Sequence, residues 1–467
     1  MSDALFDALR NYALSGRIPM HMPGHKRNTE RFPSLAALGA GIDITEIDGF
    51  DNLHGAQEIL AAAQSRAAAL WGSDRSYFLV NGSSCGILAG IRALTRRGDT
   101  VLVSRNAHKS VYHAIELCGL RPVFLLPPLD SDSGACLSTP PEAVAAALDA
   151  HPDIRLTVLT SPTYEGVVSD VAAIAALLHE RGLPLLVDEA HGAHFSLHPA
   201  FPASAVSLGA DIAVASLHKT LPSLTQTAVL HVRGSRVDPA RLAHQLAVFE
   251  TSSPSYLFLA SIDECVRTLR ERPEILDEWA QRLAAFDARL SGAENLRFPF
   301  RSGHHAPGVF GFDPSKIFVL SRTADGERLA MHLRARGIEP EMVTARGVLL
   351  MTGAGDTNAA MEHTAAALLA APLPGEGTIP SGDPPFPCAA PELVVLPEAA
   401  LERDWEYVET TDAAGRIAAE YLWAYPPGIP FVIPGERIPP HFPELCASIR
   451  SLHGTRRRAD GWIAVLR

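Results

Sequence analysis

Lysine is nearly missing from this chain of 467 residues: it occurs only at Lys26, Lys109, Lys219 and Lys316, and arginine supplies almost all the positive charge. An arginine-rich codon bias accounts for the scarcity. It does not account for the survivors sitting in polar clusters, three of the four directly after a histidine, as His25-Lys26, His108-Lys109 and His218-Lys219. Cysteine is sparse too. Cys85, Cys118, Cys136, Cys265, Cys388 and Cys446 form no C-x-x-C pair, and a chain of this length needs no disulfide framework, so reduced thiols and a cytoplasmic location are expected. The opening MSDALFDALRNYA carries acids where a secretory signal has a basic region ahead of an apolar core. No window approaches the uninterrupted apolar run of a membrane span, so a soluble protein with no membrane partner is expected.

Other absences narrow the function. Lys+Arg 40 against Asp+Glu 52 gives a net charge of −12, which removes electrostatic support for a nucleic-acid partner. The DEAH run at 188–191 resembles a helicase motif, but no G-x-x-x-x-G-K-[ST] loop accompanies it. No G-x-G-x-x-G follows the first strands, which argues against a nicotinamide-binding fold. His191 and His194 are spaced by three without H-E-x-x-H or a cysteine cluster, so no metal is expected.

With 47% hydrophobic and 20% charged residues, the chain is long enough for a large domain and one or two smaller ones. After a short first helix, residues 15–57 read as an irregular arm rich in Pro and Gly. A helix over roughly 56–71 follows. Short apolar runs then alternate with Ala/Leu-rich helical stretches: strands are expected at 77–80, 100–104, 121–126, 156–161, 183–188, 211–216 and 228–232. Such alternation predicts right-handed crossovers, an α/β fold and a mostly parallel, doubly wound sheet, with ligands bound beyond the carboxyl ends of its strands. Residues 257–293 look helical, 298–370 like a small α+β unit, and a Pro/Gly linker precedes the last segment. The expected organisation is an arm over 1–57, a large domain over 58–297, a small domain over 298–372 and a C-terminal segment over 373–467.

Polar clusters follow the expected strands directly. NGSSCG (81–86) is a Gly/Ser turn opening a helix, where backbone amides with the Ser83 and Ser84 hydroxyls suit a phosphate, although such turns are common without one. RNAHKS (105–110), SPTYEG (161–166), DEAHGAH (188–194) and SLHKT (216–220) end four other strands. A lysine needed for its amine cannot become arginine, because a guanidinium stays protonated and forms no imine. Lys219 is the best candidate for such an amine. Asp188 ends an apolar run, where a carboxylate is costly without a cationic partner such as a pyridinium nitrogen; a helix N-cap is the plainer alternative.

Taken together, HMPGHKRN (21–28), FLVNGSSCG (78–86), SRNAHKSVYHA (104–114), VDEAHGAHF (187–195) and SLHKTLPSLTQ (216–226) resemble, in order, the short-form Orn/Lys/Arg decarboxylases. TSSPSY (251–256) and YPPGIPFVIPGE (425–436) match as well, so the resemblance covers nearly the whole chain. It implies the aspartate-aminotransferase fold (fold type I), with a seven-stranded, mostly parallel sheet in a large pyridoxal 5′-phosphate domain and smaller α+β C-terminal parts. It implies that Lys219 forms the Schiff base, that Asp188 pairs with the pyridine nitrogen, and that His108 and Ala190 lie on opposite ring faces. Ser83, Ser84, Ser216 and His218 are implied phosphate ligands, with Ser252 or Ser253 reaching the phosphate from a partner subunit, and His191 is implied near the ring hydroxyl. Two departures are Ser in the NGSSCG turn where relatives often carry Thr, which keeps the hydroxyl, and Ala107 where Cys is common. The long-form members begin with a receiver-like wing domain; its absence here speaks against their large assemblies but not against a homodimer with sites at the subunit interface.

The expected reaction is α-decarboxylation of a basic amino acid to its amine, with arginine ahead of lysine and ornithine, in polyamine biosynthesis. Asp48, Asp51, Glu165 or acids of the C-terminal segment are candidates for holding the distal cation, although for any one of them a surface carboxylate is the favoured reading. The alternatives are another fold-type-I reaction such as transamination, or a non-catalytic pyridoxal-phosphate binder.

Overall fold

The computed structural model describes residues 4–301, 307–322, 325–371, 391–424, 428–448, 452–456 and 461–467. Its central feature is a sheet of seven strands: β1 (Arg75–Leu79), β2 (Thr100–Ser104), β3 (Arg121–Leu125), β4 (Ile154–Thr160), β5 (Leu185–Asp188), β6 (Ile212–Ser216) and β7 (Ala228–Val232), in the order β1-β7-β6-β5-β4-β2-β3. β2 runs parallel to β3 and β4. β7 is antiparallel to both β1 and β6, which makes the sheet mostly parallel, as expected. All residues of β2, β5, β6 and β7 are buried. Burial on both faces explains why these strands read as continuous runs of Val, Leu, Ile and Ala instead of alternating.

The chain divides into two compact units. One comprises residues 1–93, 187–281 and 353–355, the other residues 94–186, 282–352 and 356–467. In the first, helix α1 (Leu5–Leu14) is followed by the arm, which is irregular apart from short helical turns at Pro33–Ala37 and Leu53–Gly55. Helix α2 (Ile59–Trp71) ends on Gly72 in the left-handed conformation, a common helix stop. Helix α3 (Gly82–Leu94) lies close against strands β1 and β6 at Gly86. A Cβ there would stand 2.6 Å from a Leu79 methyl and 3.0 Å from one of Val214. The helical stretch expected over 257–293 is two helices, Tyr256–Glu271 and Glu274–Leu290. The break falls at Arg272-Pro273, because proline disfavours a helical residue before it and supplies no amide.

In the second unit, helix α4 (Lys109–Cys118) follows β2. A four-stranded antiparallel sheet built on Lys316–Ser321 and Gly347–Met351, with helices Gly326–Arg334 and Asn358–Leu369, forms the small α+β part. Toward the C-terminus, Trp405–Glu409 pairs antiparallel with Trp462–Leu466. A three-stranded sheet of Leu422–Ala424, Pro430–Val432 and Leu452–Gly454 closes around Leu422, Phe431, Val432, Ile438 and Phe442. The Pro/Gly linker and residues 425–427 of the YPPGIPFVIPGE block lie outside the described residues.

Candidate active site

In the first unit, two strands deliver the chemistry at their carboxyl ends. β5 ends on Asp188, and β6 runs directly into the one-turn helix Leu217–Thr220, which carries Lys219. Asp188 is 5% exposed and accepts from the Ala190 amide at 3.1 Å. Burial pushes its carboxyl above the ordinary range, while the Lys219 ammonium and that amide pull it back. Glu189, next in sequence, is used differently. It is buried, accepts from the Ala205 amide at 2.7 Å, and is held well above the usual range by burial and by Asp188. Of the two adjacent acids, Asp188 is thus the one set against the lysine.

Lys219 is half-buried, and its Nζ lies 3.0 Å from His191 Nε2. Ser216, at the end of β6, is 1% exposed, and its Oγ finds no hydrogen-bond partner among the described residues. A buried orphan hydroxyl is costly, so this one is placed for a group from outside the chain. His218 donates from Nδ1 to the Thr227 carbonyl at 2.9 Å, and burial lowers its pKa. Ser83 and Ser84 stand half-buried in the first turn of α3, where helical amides lack partners within the helix. Ala190 is buried beside Asp188, and its carbonyl accepts from the Ser216 amide at 3.4 Å.

Not every expected residue joins this group. Ser252 and Ser253 are exposed in the loop after helix α5 (Pro239–Phe249), where the Ser253 amide donates to Thr251 Oγ1 at 3.2 Å. His194 is fully buried 3.2 Å from Thr220 Oγ1 and packs against the rings of Phe201 and Trp279. Among the described residues no group of three or more His, Cys, Asp or Glu is disposed to hold a metal ion, and no helix is long and apolar enough to cross a membrane. Asp51 is spent on the amides of Gln57, Glu58 and Leu60 at the start of α2. Asp48 is exposed.

In the second unit, His108 caps α4: its Nδ1 accepts from the Ser110 amide at 3.3 Å and lies 2.9 Å from Ser110 Oγ. Glu165 has its carboxyl raised by burial and faces the charge of the buried Lys316. Sequence reasoning assigns no role to Arg105, which the structure buries completely two residues beyond Val103. Its guanidinium donates to Tyr112 Oη at 2.8 Å, to the carbonyls of Pro430 and Phe431 at 2.6 and 3.0 Å, and to Glu436 at 3.2 Å. The one available signal was an arginine placed where a buried strand ends.

The site thus offers an amine on Lys219, a buried carboxylate on Asp188 and a buried, unpaired hydroxyl on Ser216. Pyridoxal 5′-phosphate carries an aldehyde, a basic ring nitrogen and a phosphate at three of its corners, and it fits all three. Fold and residues together define a pyridoxal-phosphate enzyme of the aspartate-aminotransferase fold.

Comparison with known proteins identifies which kind. The family model "Orn/Lys/Arg decarboxylase, major domain" matches residues 3–295, and "Orn/Lys/Arg decarboxylase, C-terminal domain" matches residues 388–462. The chain is 37% identical over 457 residues to a Bacillus subtilis protein described as "Uncharacterized protein YaaO", covering 94% of this chain and 92% of the relative. It is 34% identical over 445 residues to the arginine decarboxylase of Halalkalibacterium halodurans, covering 93% and 90%. The fold superimposes on the constitutive lysine decarboxylase of Escherichia coli with a TM-score of 0.83 at 19% identity, covering 99% of this chain and 82% of that one. The chain belongs to the Orn/Lys/Arg decarboxylase family and is a pyridoxal-phosphate-dependent decarboxylase of basic amino acids.

Proposed function

We propose that the protein releases the α-carboxyl group of arginine as CO₂, leaving the corresponding amine, with lysine and ornithine as weaker substrates. The observation that carries this reading is the buried Asp188 set against Lys219, with His191 3.0 Å from the lysine Nζ. The choice of arginine rests on relatives named arginine decarboxylase, among them those of H. halodurans and B. subtilis at 34% and 32% identity.

Lys219 would hold the cofactor through its Nζ, and Asp188 would keep a proton on the ring nitrogen. Ser83, Ser84, Ser216 and His218 would receive the phosphate. His108 and Ala190 are assigned to the ring faces, and Ser252 or Ser253 to the phosphate of a second copy. When bound, the cofactor supplies an electron sink for the pair left at the substrate Cα as CO₂ departs. The protein does the rest. Its buried setting strips water from the carboxylate that must leave, whose charge disperses in the transition state. The His191 ring beside Lys219 Nζ gives a proton taken up from solvent a path to the lysine, from which it would be delivered to Cα in place of the departed CO₂. His218 spends Nδ1 on Thr227, so a phosphate contact through its other nitrogen requires the protonated ring; a phosphate dianion would favour that form.

A cytoplasmic homodimer serving polyamine biosynthesis is part of the same proposal. So is the division into an arm (1–57), a large domain (58–297), a small domain (298–372) and a C-terminal segment (373–467). Incubating the purified protein and cofactor with carboxyl-labelled arginine, lysine and ornithine tests the reaction. Labelled CO₂ should appear fastest from arginine, with agmatine as its amine product, and Lys219→Ala should abolish both turnover and the visible absorbance of bound cofactor. Formation of a keto acid in place of CO₂ would indicate transamination.

A further inference from the structure

The residues just ahead of Ser83 are gripped from two sides by side chains that the mechanism above does not use. On one side Glu250, 7% exposed, accepts from the Val80 amide at 2.6 Å and from the Asn81 amide. On the other, Gln226 donates from Nε2 to the Val80 carbonyl at 2.6 Å, and its own carbonyl accepts from the Gly82 amide at 2.9 Å. Three consecutive amides and a carbonyl are therefore committed to two residues. Gln226 holds this grip with φ +83, a backbone conformation unfavourable for any residue with a Cβ. Such strain persists only where the surrounding contacts impose it.

The sources of the two side chains add to the point. Gln226 lies seven residues beyond Lys219, in the same connection between β6 and β7, and Glu250 lies two residues before Ser252. The turn that opens α3, the segment that carries the lysine and the loop that carries Ser252 and Ser253 are thus joined at one point. Val80 and Asn81 make up the whole connection between β1 and α3, and Gly82 opens the helix, so whatever fixes these three residues fixes the aim of the amides that follow.

We propose that Gln226 and Glu250 act as positioning residues for the cofactor phosphate, holding the Val80–Gly82 turn so that the first-turn amides of α3 and the Ser83 and Ser84 hydroxyls are preset for a dianion. The proposal rests on the reading of Ser83 and Ser84 as phosphate ligands. Neither residue touches the phosphate. Preorganisation of this kind raises affinity by removing the ordering cost from the binding step.

The test is a titration of cofactor-free protein with pyridoxal 5′-phosphate and, separately, with pyridoxal, which lacks the phosphate, followed by absorbance of the bound form. Glu250→Ala should weaken pyridoxal-phosphate binding about tenfold, the scale of one lost hydrogen bond to a charged group, and leave pyridoxal binding unchanged. Glu250→Gln, which keeps an acceptor oxygen, should fall between. Gln226→Gly keeps the backbone acceptor, relieves the positive φ and removes only the side-chain bond. It should weaken phosphate-dependent binding while the melting temperature of the cofactor-free protein stays level or rises, a divergence that a merely structural residue would not give. Equal loss for both ligands, no loss for either, or failure of both variants to fold would overturn the proposal. Ser83→Ala with Ser84→Ala tests the underlying reading separately: unchanged pyridoxal-phosphate affinity in that variant would remove the turn from the phosphate site altogether.

Discussion

Asp188 and Glu189 are neighbours in sequence and both are buried, yet they carry different electrostatic assignments. Glu189 satisfies itself on the Ala205 amide and has its carboxyl raised well above the usual range by burial, whereas Asp188 is raised by burial but drawn back by the Lys219 charge. Asp188→Asn should therefore lower turnover by about a hundredfold or more, the scale of losing one preorganised electrostatic contact. Glu189→Gln, which keeps an acceptor for Ala205, should cost far less; steady-state rates with arginine compare the two. Glu250 gives a pH dependence whose sign is fixed. Burial raises its carboxyl from 4.5 to about 7, so the folded chain binds a proton there that the unfolded chain has released. That contribution to stability is fully present below pH 4.5 and is lost as the pH rises through about 7. Denaturant titrations across this window should show Glu250→Gln flattening the decline; an unchanged slope would contradict the raised value.

Among the elements, the strands were the most legible part of the sequence. β2 and β7 fall at the expected residues because an apolar run there is bounded by polar or turn residues on both sides. The reversed direction of β7 was not legible, since a strand buried on both faces shows the same composition whichever way it runs. Asp188 and Ser216 could be found because each is a polar residue ending such a run, and Lys219 because it is one of four lysines and lies just beyond one. Gln226, Glu250 and Glu436 could not, because a polar side chain outside an apolar run reads as a surface residue until its partners are known, and Arg105 offered only its place at the end of a buried strand, which names no partner. The last two show what was hidden. Arg105 closes β2 by bonding to the Pro430 and Phe431 carbonyls and to Glu436, so one ion pair, fully buried, fastens the Pro430–Val432 strand to the loop that holds His108. Breaking it with Arg105→Ala leaves a buried carboxylate unpaired and should cost about 3–5 kcal/mol of unfolding free energy. Replacing both partners, as Arg105→Met with Glu436→Leu, should restore much of that, as measured by chemical denaturation.

For the whole molecule, the arm is where the surface departs from that of a self-contained protein. Leu14, Ile18, Met20, Met22 and Leu38 are 80%, 80%, 87%, 63% and 74% exposed within a short stretch, a concentration of apolar surface that monomers seldom leave open to water. With a second copy as the proposed cover, sedimentation should give the mass of a dimer, and Ile18→Glu with Met20→Glu should shift it toward monomer and reduce activity together; a monomeric parent protein that is fully active would exclude the arrangement. A different kind of dependence follows from Gly86. Because α3 rests on the sheet with a Leu79 methyl only 2.6 Å and a Val214 methyl 3.0 Å from where a Cβ at Gly86 would stand, the methyls of β1 and β6 fill the room that a side chain there would need. An alanine there would have to push both methyls aside, so the crowding it brings would fall one turn from the opening of α3, where the phosphate is proposed to sit.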